Sequence, residues 1–208
     1  HILAGGAPNF SRQGITGIAG VLLNIVAAAF GESMIAALTV SSRIAALAYM
    51  IMIGWGQGFQ PICAMNYGAK QYDRVKKSLE LTVWIGTIFL LIASILLAIC
   101  AKPVTAVLSQ DEEVIRLGVQ ILRLQCISLP FLGFYAVSSM YMQNIGQYSR
   151  ALWISVARQG IFYIPLLFFL PAIGGRTGLF LVQPAADLLA TVFAAFILWK
   201  YLDVNDRI

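Results

Sequence analysis

The stretch Gly54-Trp-Gly-Gln-Gly-Phe-Gln-Pro-Ile-Cys-Ala-Met-Asn-Tyr-Gly-Ala-Lys-Gln-Tyr-Asp-Arg-Val-Lys-Lys77 is an apolar helix that carries amide side chains, holds Gly and Pro in its middle and stops in a basic loop. In hydrocarbon, backbone groups freed by Pro61 and loosened by Gly54, Gly56 and Gly58 must find partners inside the protein. Such breaks persist only where they face other helices or a wet cavity. Gln57 and Gln60 stand three apart and share one helix face, with Gly58 expected to loosen the bend beside them. This is the pattern of a helix in a membrane transporter; an ordinary kinked packing helix carries the same residues, and the segment alone does not separate the two. The glycine spacing fits neither a dinucleotide fold nor a phosphate loop, because no strand precedes it.

Composition fixes the setting. Hydrophobic residues make up 60% of the 208 and charged residues 11%, with a mean hydropathy of +0.82. Soluble chains carry roughly 25% charged residues. Nine acids and fourteen bases cannot coat a water-soluble globule that must also hide this much Leu, Ile, Phe and Ala. The chain belongs in a membrane, and its fold class is all-α, since lipid tolerates no open sheet. The +5 charge comes from bases scattered beside apolar runs rather than from a long basic block, so it is no nucleic-acid footprint.

At the roughly 20 residues needed to cross a bilayer, six candidate spans fall at about 10–31, 34–66, 77–100, 114–143, 151–171 and 178–201. The second and fourth are too long for a straight crossing and contain Pro61 and Pro130, so tilt, kinks or extension beyond the membrane must absorb the excess. The separators, such as Gly31-Glu-Ser33 and Gly174-Gly-Arg-Thr-Gly178, leave no room for a soluble domain. Pro103 to Leu108 reads as a short interfacial stretch. With the N-terminus inside, Arg12, Lys70, Arg74, Lys76, Lys77, Arg150, Lys200 and Arg207 lie on the cytoplasmic side, eight bases against the three of Lys102, Arg116 and Arg176. The positive-inside bias therefore places both termini in the cytoplasm.

The chain starts at His1 rather than Met, and Ile2 to Pro8 lacks a signal-peptide layout, so the expectation is a fragment of a longer protein. Cys63, Cys100 and Cys126 are odd in number and make no zinc or redox spacing, which favours free buried thiols. A single His at the terminus anchors no catalytic or metal constellation, and no cofactor set is read from the sequence.

Charges at membrane depth cost several kcal/mol unless paired or hydrated. Arg43, Arg158 and Asp187 are the three that matter most here. At ~1.5 Å per residue, Arg43 lies roughly 13 Å into the second span, Asp187 roughly 13 Å into the sixth and Arg158 roughly 12 Å past Arg150. Spans five and six are joined by a short loop and should pack antiparallel, which permits an Arg158–Asp187 pair. A static ion pair is the favoured reading over a proton-coupling site, because an adjacent arginine favours the ionised carboxylate. In the fourth span Phe131, Tyr135, Ser138, Ser139, Met142 and Gln143 recur at three- and four-residue steps. Such a stripe suits a cavity wall for amphipathic cations; helix packing through small polar residues is an equal alternative. Asn24 adds a buried amide open to the same two readings.

The run from Asn9 through Leu202 resembles the C-terminal half of a multidrug and toxic compound extrusion (MATE) transporter. The matching pieces are Arg12-Gln13, Gly31-Glu-Ser-Met-Ile-Ala-Ala37, Arg43-Ile44, Gly56-Gln-Gly-Phe-Gln-Pro61 with Asn66-Tyr-Gly-Ala69 and Arg74-Val-Lys76, then Arg158-Gln159 and Gln183-Pro-Ala-Ala-Asp187. The second-span block is the specific one. The resemblance implies a six-helix lobe of a twelve-helix, two-lobe secondary antiporter in the bacterial cytoplasmic membrane, with the N-terminal lobe as partner. It implies exchange of protons or sodium for small drug-like organic cations by alternating access. The first, second and fourth helices of such a half line the cleft, which on this sequence implies Asn24, Gln57, Gln60, Tyr135 and Ser138 as cavity residues.

One departure bears on coupling. A sodium-coupled branch carries a Glu in the first helix of this half and an Asp in the fourth, where this chain has Asn24 and Tyr135. No carboxylate remains in either span, so the resemblance places the coupling acid in the other half. A lipid-linked oligosaccharide flippase of the same superfamily is the alternative; it would need a strongly cationic cavity, for which only Arg43, Arg123 and Arg158 are at hand. A membrane enzyme is disfavoured because the spans hold no nucleophile–base pair and no metal cluster.

Overall fold

The computed structural model describes residues 2–205, leaving His1 and Arg207 outside the described residues. The helices are α1 (Ile2–Ala28), α2 (Glu32–Gly68), α3 (Tyr72–Ile99), α4 (Ala101–Leu108), α5 (Glu112–Ser128), α6 (Phe131–Asn144), α7 (Tyr148–Val156) and α8 (Tyr163–Asn205), with a π-helical turn at Ala157–Phe162 between the last two. No strand occurs among the described residues. Phe10–Ala28, α2, α3 and Tyr148–Tyr201 are each long and apolar enough to cross a membrane.

Proline and glycine set the breaks. At Pro130 the fourth candidate span divides into α5 and α6, which meet at 54°. Pro61 acts differently: α2 runs unbroken through it for 37 residues, so the expected interruption is absent and only the hydrogen bond that a proline cannot donate is lost. The stretch Tyr148–Tyr201 contains 54 helical residues, about 80 Å if straight, far more than one ~30 Å crossing needs. Gly175, at φ 55 and ψ −131, breaks it within α8. Past that turn a Cβ at Gly178 would press on the Leu170 carbonyl, so the chain folds back along itself.

Helix ends follow the local chemistry. Asp111 caps α5 by accepting from the Glu113 and Val114 amides at 2.8 and 3.3 Å. A Schellman motif ends α2: Gln71 N–H donates to Asn66 O and Lys70 N–H to Tyr67 O, with Lys70 left-handed at φ 58. α6 ends the same way, with Gly146 where α2 has Lys70.

Small residues bring the helices together. A Cβ at Gly133 of α6 would meet the α3 backbone at Thr87 N, 3.1 Å away, the close approach typical of membrane helices. Ser41 Oγ donates to Gly118 O at 3.0 Å and ties α2 to α5. Three apolar clusters result. One, around Met34, Ala37, Ile121, Leu167 and Val182, joins α1, α2, α5 and α8; another, around Met52, Phe59, Leu90, Val137 and Ile154, joins α2, α3, α6, α7 and α8; a small third, Ile44, Ala101, Leu122 and Cys126, joins α2, α4 and α5. On α8 Ala186 belongs to the first and Ala190 to the second, so Asp187 sits where they meet. Trp84, Phe169, Ile173 and Trp199 are exposed on the outside, as expected of surfaces that face lipid acyl chains. Cys63 and Cys126 are buried, whereas Cys100 is exposed at the α3–α4 joint.

Candidate functional site

A cavity of about 530 Å³ opens at the level of Asp187, walled by α1, α2, α5, α6, the π turn and α8. Its polar centre is built from distant parts of the chain. Arg158 Nε lies 2.7 Å from Asp187 Oδ1, and Gln183 Nε2 donates to the same oxygen at 2.7 Å from one turn earlier on α8. Ser128 Oγ, at the end of α5, donates to Oδ2 at 3.1 Å. The carboxylate is thus ligated on both oxygens and only 4% exposed, which is how a buried charge is kept tolerable. The Arg158 guanidinium stacks 5.0 Å from the Tyr49 ring centroid.

The π turn explains how Arg158 arrives there. Widening the helix by one residue over Ala157–Phe162 interrupts the i→i−4 ladder and re-aims the side chains. Just before it, Ile154 O and Ser155 O accept the Tyr135 hydroxyl at 2.9 and 3.3 Å. Tyr135 is therefore buried with its hydroxyl committed to backbone, and it lines the cavity.

The residues singled out from sequence separate into groups. Gln57 and Tyr135 line the main cavity, and both also line an adjoining space of about 90 Å³ that includes Gln60. Ser138 does not reach either space: it is fully buried, and its hydroxyl has no hydrogen-bond partner among the described residues. The α6 face turned to the smaller space carries Tyr135 and Ser139, four apart, and Ser138 lies beside that face. Asn24 is exposed on α1 and lines neither space. Arg43 is not buried; it is exposed, because the inward face of α2 runs through Ser41, Ile44 and Ala48. Gly58 meets nothing within 4 Å, whereas a Cβ at its neighbour Gly56 would press on Met140 Sδ.

The sequence alone did not mark Tyr49, Gln125 and Gln183 as cavity residues, and Arg12, grouped there with the cytoplasmic-side bases, lies within α1 and lines both spaces. A signal existed for Tyr49, which with Ile53, Gln57 and Gln60 makes one helical stripe. Gln183 and Asp187, at i and i+4, gave another. Nothing local marked Gln125.

The family model MatE matches residues 15–169. The chain is 27% identical over 196 residues to the multidrug export protein MepA of Staphylococcus haemolyticus, covering 94% of this chain and 43% of that protein. Against MepA of Staphylococcus aureus it is 27% identical over 199 residues, covering 95% and 44%. The chain spans about half the length of the curated relatives it matches. Among solved structures, a mutant of the Vibrio cholerae MATE transporter VcmN superposes with a TM-score of 0.89 at 22% identity, over 96% of this chain and 46% of that one. A multidrug resistance MATE family transporter of the MOP superfamily superposes at 0.88 in its outward-facing conformation and 0.86 in its inward-facing one. Each is 20% identical and covers 99% of this chain, with 46% and 48% of the respective solved chains. The match over most of its length makes this chain a member of the MatE family, whose members are membrane transporters rather than enzymes.

Proposed function

We propose that the chain is the C-terminal six-helix lobe of a multidrug efflux antiporter in the bacterial cytoplasmic membrane, working with an N-terminal lobe to exchange protons or sodium for drugs by alternating access. The observation that carries this reading is the 530 Å³ cavity, lined by Tyr49, Tyr135, Gln57 and the Arg158–Asp187 pair. Its size and its mix of aromatic walls with a few converging polar groups suit a drug-sized ligand. The similar superposition on outward- and inward-facing relatives, at 0.88 and 0.86, supports a lobe that moves as a body while the partner lobe tilts against it. Counting α5 with α6 as one bent span, and dividing α8 at Gly175, gives six crossings with both ends in the cytoplasm.

In this reading Asp187 is structural, because Arg158, Gln183 and Ser128 occupy its oxygens. The coupling acid lies in the partner lobe. The flippase alternative fares worse: Arg43 and Arg123 are exposed away from the cavity, Arg123 Nε donates to Ala98 O at 3.3 Å, and Arg158 is neutralised by Asp187, which leaves Arg12 as the one uncompensated base among the described residues lining the cavity, short of a strongly cationic one. The reading is tested by reconstituting the full-length transporter in vesicles and following ethidium movement under an imposed pH or sodium gradient. Gradient-driven export is expected, and absence of movement under both gradients would overturn it.

A further inference from the structure

The cavity carries more positive charge than its own acid neutralises. Asp187 is the single carboxylate among the described residues lining it, and Arg158 holds that carboxylate. Arg12 lines the same space, yet no described acid pairs with it. A guanidinium does not shed its proton in a protein, so Arg12, half-buried at the cavity wall, keeps its charge there. There is a second deficit, a neutral one. Gln125 is only 5% exposed, lines the cavity, and its Oε1 accepts no hydrogen bond among the described residues. A buried carbonyl oxygen in that condition is costly until a donor reaches it.

The cavity wall is aromatic at Tyr49 and Tyr135, but the Tyr49 ring already receives the Arg158 guanidinium. A ligand bearing only positive charge would meet two arginines, an acid already ligated and a tyrosine face already used. A ligand bearing an anion at one end and a donor at another satisfies both deficits at once.

We propose that this cavity is an anion-accepting subsite for aromatic amphiphiles that carry a carboxylate and a separate hydrogen-bond donor, the carboxylate binding Arg12 and the donor binding Gln125 Oε1. The inference rests on the transporter reading above and names the ligand class that this lobe selects: organic acids and zwitterions over simple cations. The volume of about 530 Å³ accepts a two- or three-ring aromatic body.

The test uses the purified full-length transporter in lipid nanodiscs, with empty nanodiscs to subtract partition into lipid. Three fluorescent probes are titrated: 6-hydroxy-2-naphthoic acid, its methyl ester, which lacks the charge, and 6-methoxy-2-naphthoic acid, which lacks the donor. The acid is expected to bind about tenfold more tightly than the ester and about fivefold more tightly than the methoxy acid. Arg12→Gln should collapse the acid-to-ester ratio toward one while Arg12→Lys keeps most of it, and Gln125→Leu should erase the hydroxy-to-methoxy difference. Equal binding of acid and ester by the unaltered protein overturns the proposal; that result is also expected if an acid elsewhere in the transporter neutralises Arg12. An undiminished ratio in Arg12→Gln overturns it as well. The unaltered protein decides the matter even if a variant fails to fold. Export of ethidium and of 6-hydroxy-2-naphthoic acid, measured on the same preparation, separates the two claims: export of either without acid preference in binding sinks only the subsite, and absence of export of both under any gradient sinks the transporter reading.

Discussion

Arg158 and Asp187, 29 residues apart in the chain, meet at 2.7 Å in the middle of the lobe, and the contact joins the π turn to the last helix. Gln183, on the same helix, and Ser128 add bonds to that carboxylate, so the π turn and α5 both converge on one acid of α8. A group bound this way holds architecture together and is poorly placed to exchange protons with a transport pathway.

Asp187→Asn should therefore lower the folded yield of the full-length transporter. It leaves Arg158 without its counter-charge at membrane depth, and breaking a buried pair costs about 3–5 kcal/mol in soluble proteins. The double variant Asp187→Asn with Arg158→Leu should recover part of the loss. Size-exclusion yield and thermal unfolding in detergent measure both. Normal yield with abolished gradient-driven export would instead place Asp187 in the coupling mechanism.

Tyr135→Phe removes the hydroxyl that bonds Ile154 O and Ser155 O beside the π turn. The expected loss is about 1–3 kcal/mol of stability, from buried carbonyls deprived of their donor. Ligand affinity should change little, because the ring remains. A drop in affinity with unchanged melting would show that the hydroxyl contacts ligand directly.

Gly56 and Gly58 are two residues apart but should respond in opposite ways. Gly56→Leu drives a side chain into Met140 and is expected to cost about 1–3 kcal/mol by overpacking. Gly58→Leu enters open space and should leave folded yield unchanged. Parallel expression of the two variants decides it, and equal loss in both would contradict the packing described for α2.

Lys70 holds a left-handed conformation at φ 58 in the cap of α2. Lys70→Gly relieves that constraint and should raise stability by up to about 1 kcal/mol, read as an increase in melting temperature. A decrease would mean that the lysine charge, rather than the cap geometry, matters at this position.

Topology can be read by thiol labelling of intact cells, with Cys63, Cys100 and Cys126 replaced. Thr177→Cys, beyond the Gly175 turn, should react with an impermeant reagent, and Ser149→Cys should not. The reverse pattern would invert the lobe in the membrane.

Much of the fold was legible because it rests on coarse physics. Sixty per cent hydrophobic composition dictates helices in lipid, and Gly174–Gly178 contains the break that falls at Gly175. The facing of individual residues was harder to read. α2 is apolar toward the core and apolar toward lipid, so its pattern does not reveal which side Arg43 takes or that Tyr49 turns inward. Pro61 and Pro130 look alike in sequence, yet one leaves its helix continuous and the other separates two helices at 54°. The π turn has no local signature, although it is what delivers Arg158 to its partner. Ser138 and Tyr135 are three apart on α6, yet Tyr135 lines the cavity and Ser138 is buried away from it.

The turn at Gly175 also bears on how the chain is made. Arg158 and Asp187 lie on opposite arms of the hairpin that it closes, and each charge alone would oppose insertion by about 2.5–3.5 kcal/mol. If the arms left the translocon one at a time, the first would carry a bare guanidinium into lipid. Closing the hairpin first would let the two charges cancel before either meets hydrocarbon, a route that the Gly175 turn makes available to the chain.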